Sequence, residues 1–244
     1  MQKYFINSED LEENIITGDD VFHIKNVMRS KVGDKIIVSD SKCEYLASIT
    51  EIDKDIVHFK KEEAINNQAQ LPFFVDIYQG YPKGDKLDDI CKHTTELGVN
   101  EVFAINMKRS IVKIDPKKIE SKTLRYDKIM KEASEQSHRP TLAHFGGIID
   151  LKKIDFSKYD YKILAFEESA KMGEGSNFKN IVKNLEKGQR VAILIGPEGG
   201  IDLSEVEYLN NLGFINCGLG PRILRTETAS YYALAAISYE SELK

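Results

Sequence analysis

Two segments in the C-terminal third of the chain carry residue types that can hold and act on a small charged ligand. The first is Leu194-Ile195-Gly196-Pro197-Glu198-Gly199-Gly200, which follows the apolar run 192–195. Its glycines permit positive φ and close backbone approach. Its proline stiffens the loop, and exposed amides in such a loop favour anions. In the second, Gly218, Gly220 and Pro221 predict a tight loop. Arg222 and Arg225 follow, three apart, and Thr226 and Thr228 flank Glu227. Arginine forks clamp phosphate or carboxylate, and a carboxylate beside arginine can accept a proton or orient a base. The same stretch also reads as a helix entry, with a threonine cap and Glu227 complementing the helix dipole. Both readings can hold at once. Neither segment contains GxxxxGK[ST], and neither contains GxGxxG with an acidic residue about twenty positions on, which argues against a P-loop and against a dinucleotide oxidoreductase.

The elements that position these loops alternate. From residue 71 onward, strand patterns at 73–78, 102–105, 142–145, 161–166, 191–195 and 214–217 interleave with helical patterns at 85–97, 116–137, 178–185 and 228–243. Asp202 and Glu205 have capping-box spacing for a further helix that stops at Gly213. Such alternation predicts a mostly parallel sheet covered on both faces, with ligands beyond the carboxyl ends of its strands. Residues 1–66 differ. Short β-type runs at 36–38, 45–49 and 56–59, separated by turn residues, predict a small barrel, with a short helix at 23–28 and a polar linker at 65–70.

Composition bounds the rest. The chain has 244 residues, 41% hydrophobic and 30% charged, enough for one large domain or two smaller ones. No apolar run approaches the ~18 residues of a membrane span. Residues 1–7 lack the apolar core of a signal peptide, so a cytoplasmic location is expected. Cys43, Cys91 and Cys217 are scattered and the five histidines show no ligand spacing, so neither a disulfide framework nor a metal is expected. Net charge is −5, and residues 1–70 carry 14 Asp/Glu against 9 Lys/Arg. Residues 108–139 invert this, with 10 Lys/Arg against 5 Asp/Glu, a local +5. One basic face on an acidic protein suits a phosphate-bearing partner, and a solvated lysine-rich helix gives the same count.

Taken together in order, the two loop motifs resemble the SPOUT class of RNA methyltransferases. Within that class they are similar to the bacterial 16S ribosomal RNA uridine-N3 methyltransferase family. The resemblance covers nearly the whole chain. His23-Ile24-Lys25-Asn26-Val27-Met28-Arg29 and Val32-Gly33-Asp34 match the family's PUA-like domain. Lys83-Gly84-Asp85-Lys86 and Thr95-Glu96-Leu97-Gly98-Val99 match the start of its catalytic domain. Arg109-Ser110 and the stretch from Glu132 to Arg139 match its middle.

The resemblance implies an α/β protein with a PUA-like β-barrel over residues 1–70 and a SPOUT domain with a trefoil knot over 71–244. It implies S-adenosylmethionine, held at Leu194, Gly196, Pro197, Gly199, Gly200, Leu219, Gly220, Ile223 and Leu224. Arg222 and Arg225 are then candidates to stabilise charge on the uracil carbonyls or to hold phosphate. Glu198 or Glu227 is a candidate to take or relay the N3 proton. Lys25, Arg29, Lys108, Arg109, Lys122, Arg125 and Arg139, helped by Lys3 and Lys31, would contact RNA phosphates. The small ribosomal subunit is the implied partner and a homodimer the implied assembly. Competing expectations are a SPOUT enzyme acting on a ribose 2′-hydroxyl or on transfer RNA, and a non-catalytic ribosome assembly factor.

Overall fold

The computed structural model describes residues 1–112, 115–166 and 176–243. The chain divides into two compact units, Met1–Gln70 with Ser134–Leu142, and Leu71–Ala133 with Ala143–Lys244.

The first unit is a curled five-stranded sheet, a half-barrel. Its strands are β1 (Lys3–Phe5), β2 (Ile15–Ile16), β3 (Lys35–Ser39), β4 (Glu44–Ile52) and β5 (Val57–Ala64), in the order β1-β3-β4-β5-β2. β1 pairs parallel with β3, and the other pairs are antiparallel. Tyr4, Ile16, Ile24, Val38, Ile49 and Val57 fill the concave side. β1, β2 and helix α1 (Ser8–Glu13) are additions to the pattern read from sequence; two- and three-residue strands are too short to show alternation. Asn7 starts α1 by accepting the Asp10 N–H at 2.8 Å. The helix expected at 23–28 is the π-helical turn His23–Val27, continuing α2 (Asp19–Phe22).

Segment 134–142 belongs to this unit because buried polar groups tie it there. The Lys3 ammonium, fully buried, donates to Glu44 at 2.6 Å and to the Arg139 carbonyl at 2.5 Å. Glu135 accepts the Phe5 N–H at 2.9 Å. Burial pulls the Lys3 pKa down, against the raising effect of Glu44. Lys3 is therefore a core cation and is not a surface phosphate contact.

The second unit is a six-stranded, wholly parallel sheet in the order β11-β9-β10-β6-β7-β8. Its strands are β6 (Phe74–Gly80), β7 (Glu101–Asn106), β8 (His144–Asp150), β9 (Tyr161–Ala165), β10 (Arg190–Ile195) and β11 (Ile215–Cys217). The helices are α3 (Lys86–Glu96), α4 (Ile119–Gln136), α5 (Asn177–Lys183), α6 (Leu203–Asn211) and α7 (Thr226–Glu242). Successive β10 residues serve opposite cores, as strand geometry requires. Val191, Ile193 and Ile195 join Ile90, Leu234 and Ile237 of α3 and α7, whereas Ala192 and Leu194 join Val206, Leu209 and Phe214. That double burial is why β10 reads as an unbroken apolar run. β8 lies later than the expected 142–145, because its Gly146-Gly147 pair imitates a turn. Gly146 is needed there: a Cβ would sit 2.0 Å from the Phe103 ring. From β6 the chain builds β7 and β8 to one side and β10, β9 and β11 to the other, so the topological switch lies between β6 and β10.

Candidate active site

Both loops leave the carboxyl ends of strands, the first from β10 beside this switch point and the second from the edge strand β11. Residues 196–200 follow β10, and residues 218–225 run from β11 to α7. A buried hydrogen-bond relay fixes them. Gln79, at the end of β6 and fully buried, donates through Nε2 to Thr226 Oγ1 at 2.6 Å. The Thr226 hydroxyl donates to the Gly196 carbonyl at 2.6 Å. Ser230, one turn further along α7, donates to Gln79 Oε1 at 2.7 Å. One glutamine thus links the central strand, the first loop and the helix that closes the second.

The glycines of the first loop answer to packing as much as to a ligand. A Cβ on Gly80 would lie 2.5 Å from the ring and nitrogen of Pro197, so β6 approaches the loop backbone to backbone. A Cβ on Gly196 would meet Ile201 at 2.6 Å, and one on Gly199 would meet the Arg109 carbonyl at 2.8 Å. Gly220 differs: its φ of +104° excludes most side chains, yet the space around it is open. A cavity of about 530 Å³ adjoins it, lined by Gly218, Leu219 and Gly220 of the second loop, Phe178 of α5, and Tyr232 and Tyr239 of α7. That volume suits a small molecule. The cavity borders the second loop and not the first. Leu194 is fully buried, and its side chain belongs to the core. Leu224 packs partly against the other core, while Ile223 is 71% exposed.

Glu198 and Glu227 come together on one cation. Lys86, in the first turn of α3, lies 3.0 Å from Glu198 Oε1 and 3.2 Å from Glu227 Oε2. Glu198 also accepts the Lys83 N–H at 3.2 Å; its Oε2 and Glu227 Oε2 are both buried without a hydrogen-bond partner among the described residues, so Lys86 meets Glu227 as an ion pair only. Burial pushes the Glu198 pKa up. Its own N–H, Lys86 and the Lys83 N–H outweigh that and hold the carboxyl below the usual glutamate range. Arg222 and Arg225 are exposed, and neither side chain has a hydrogen bond or ion pair among the described residues. Both guanidinium groups are available to a ligand.

The expected phosphate contacts are divided between the two units. Lys108 and Arg109 sit at the start of α6, where Asp202 takes them at 3.5 and 3.7 Å. They border the first loop through Gly199. Lys122 lies over the rings of Tyr81 and Tyr126 at 5.8 and 5.9 Å. Arg125 is paired with Asp88. Arg139 corrects the expectation: it is 3% exposed, with Nη2 donating to Gln70, and cannot meet a phosphate at the surface. On the first unit Arg29 is exposed and Lys25 is half-buried, donating to the Asp53 and Lys54 carbonyls at 2.6 and 3.1 Å. Strand pairing also creates a cluster that linear spacing hid, Glu51, Asp53 and His58, with side-chain ligand atoms within 4.8 Å of one another. Gln79 and Ser230 escaped sequence reading, since a lone glutamine ending an apolar strand carries no signal.

Comparison with known proteins agrees with this geometry. Residues 69–238 match the model of an RNA methyltransferase domain, and residues 16–62 match an RNA methyltransferase PUA domain. The chain therefore belongs to this RNA methyltransferase family. Its relatives narrow the class. Over 255 aligned residues it is 43% identical to the ribosomal RNA small subunit methyltransferase E of Bacillus subtilis, covering 100% of this chain and 98% of that protein. A crystal structure described only as a hypothetical protein superposes with a TM-score of 0.91 at 40% identity, covering 99% of each chain. The Neisseria gonorrhoeae ribosomal RNA small subunit methyltransferase E, solved with S-adenosylmethionine, gives 0.80 at 25% identity over 98% of this chain and 97% of that one.

Proposed function

We propose that this chain is an S-adenosylmethionine-dependent methyltransferase acting on N3 of a uridine in 16S ribosomal RNA of the small subunit. The observation that carries the reading is the joining of two glycine loops at the sheet's switch point by the Gln79–Thr226–Gly196 relay, beside two unpaired arginines. The residues present fit the cofactor: an open, positive-φ Gly220 and a cavity of about 530 Å³ bounded by Gly218–Gly220 leave room for a nucleoside-sized group. Gly218, Leu219 and Gly220 would hold it in that cavity; backbone groups of 196–200, with Ile223 and Leu224, lie outside the cavity's lining and would complete the binding set. Leu194 and Pro197, both buried, would contribute through main chain and loop shape.

When bound, the cofactor supplies a methyl group already activated as a sulfonium. The protein's task is to aim N3 at it and to make that nitrogen nucleophilic by dealing with its proton. Arg222 and Arg225 suit stabilisation of the charge that spreads over the uracil carbonyls as the proton leaves. Lys108 and Arg109, beside the first loop, suit the flanking phosphates, with Lys122 and Arg125 further along and Lys25 and Arg29 on the PUA-like unit. Phosphate contacts position RNA without selecting sequence.

The reading includes the knot and the dimer. β9 lies between β10 and β11, so the chain crosses β9 on leaving the first loop, as a threaded segment must. On α7, Leu234 and Ile237 are core, whereas Tyr232 and Tyr239 remain 42% and 57% exposed beside the second loop, which supports a twofold partner there. Domain limits of 1–70 and 71–244, with the 134–142 segment lent to the first unit, and a cytoplasmic location complete the proposal. No described helix is long and apolar enough to cross a membrane. Methyl transfer to unmodified small subunits, with nucleoside mass spectrometry, tests the reading: N3-methyluridine is expected, and a ribose-methylated product would replace it with another SPOUT activity.

A further inference from the structure

Glu198 and Glu227 are, by residue type alone, equal candidates for accepting the N3 proton. Their surroundings argue otherwise. One ammonium, Lys86, serves both at 3.0 and 3.2 Å. The three side chains are 29%, 18% and 18% exposed, so water screens the contacts less than at an open surface. They come from three separate segments. Lys86 opens α3 after β6, Glu198 lies in the loop after β10, and Glu227 lies in the first turn of α7 after the second loop. The shifts follow the geometry. Glu198 pushes the Lys86 pKa up, partial burial opposes this, and Glu227 adds to the rise; Glu198 is held low.

We propose that Lys86 is a positioning residue. Its single ammonium ties the two cofactor loops together by pairing with Glu198 and Glu227, so that both side chains serve as anchors and neither glutamate accepts the N3 proton. The part concerning N3 rests on the methyltransferase reading; the tie does not. The Glu198 carboxylate, held below its usual range, is a weak base at neutral pH. It is a good anchor, because a partly buried anion beside a cation resists displacement. Without Lys86, two carboxylates would face each other with no cation between them, and one would take a proton at a pH well above its normal value. The other ionisable groups bearing on the pair leave this unchanged. Asp89 on α3 adds negative charge, and Tyr231 on α7 stays protonated through burial and the charges of Asp89 and Glu227. Lys83 contributes its N–H, and the Asp85 and Arg225 side chains are exposed.

The test uses the full chain as Lys86→Met, Lys86→Arg, Glu198→Gln and Glu227→Gln. Calorimetry reads the binding of S-adenosylmethionine and of its demethylated product across pH, and kinetics separates kcat from KM. Lys86→Met is expected to weaken cofactor binding by roughly tenfold near neutral pH. It should also give binding a new pH dependence on the acid side, as the two carboxylates left without a cation between them share a proton. Lys86→Arg should restore affinity and a flat profile. The two Gln variants should change KM for the cofactor more than kcat. Either Gln variant losing about a hundredfold in kcat at unchanged affinity would make that glutamate the proton acceptor and overturn the proposal. Unaltered binding of Lys86→Met at every pH would also overturn it. If the wild-type chain bound no cofactor, the methyltransferase reading would fall by itself. Carbon-13 NMR titration of Glu198 then still decides the tie: a depressed pKa that rises in Lys86→Met supports it, and an identical pKa in both refutes it.

Discussion

Thr226→Val replaces a buried hydroxyl with a methyl of nearly the same shape, so it removes hydrogen bonds and leaves volume intact. Two contacts vanish: the 2.6 Å bond accepted from Gln79 and the 2.6 Å bond donated to the Gly196 carbonyl. The partners differ in what they keep. Gln79 Nε2 retains the Gly80 carbonyl at 3.2 Å, whereas the Gly196 carbonyl is left with only a long contact at 3.5 Å. A buried group left unsatisfied costs about 1–3 kcal/mol, and an ordinary hydrogen bond contributes about 1 kcal/mol net, so the loss should be about 2–4 kcal/mol. For a unit of this size that corresponds to a fall in Tm on the order of 10 °C. Urea unfolding of Thr226→Val against wild type and Thr226→Ser measures it. The serine variant keeps the hydroxyl and should lose no more than about 1 kcal/mol, from the missing methyl. Cofactor affinity should fall with stability in the valine variant, because the same hydroxyl aligns the first loop. A loss below about 0.5 kcal/mol with unchanged affinity would show that the relay does not hold the loops.

Gly80→Ala places a methyl 2.5 Å from Pro197, against backbone that cannot yield cheaply, so urea unfolding should show a loss of about 1–3 kcal/mol together with weaker cofactor binding. Gly220→Ala meets no atom but must adopt φ of +104°; a loss of about 1–2 kcal/mol from strain alone is expected by the same measurement. The Glu198 carboxyl is held below its unfolded value, so its contribution to stability is present above the ordinary glutamate pKa and disappears as pH falls through the lowered one. Glu198→Gln should therefore flatten the acid limb of a pH–Tm curve. Arg222→Ala should lower turnover more than cofactor affinity, read by single-turnover methyl transfer and calorimetry, since the guanidinium is exposed and has no hydrogen bond or ion pair among the described residues.

The alternation of elements was legible because β10 and its neighbours are buried on both faces and the helices between them carry apolar stripes. The Asp202–Glu205 capping box was legible for a local reason: both of its bonds form within one turn. Arg139 was not legible. It follows a basic helix and reads as its continuation, but contacts with residues up to 136 positions away bury it. Lys86 and Gln79 share that difficulty, since their partners lie over a hundred residues downstream and nothing local marks them. Gly196 and Gly199 invited a ligand-binding reading, yet close packing against Ile201 and Arg109 already requires them.

The central claim is that this fold transfers a methyl group to a uridine of the small ribosomal subunit. Small subunits purified from cells lacking the modification, incubated with the protein and labelled S-adenosylmethionine, should yield labelled N3-methyluridine on nucleoside mass spectrometry, and the Arg222→Ala protein should yield far less. Label in any other nucleoside, or no label although the protein binds the cofactor, would contradict the account.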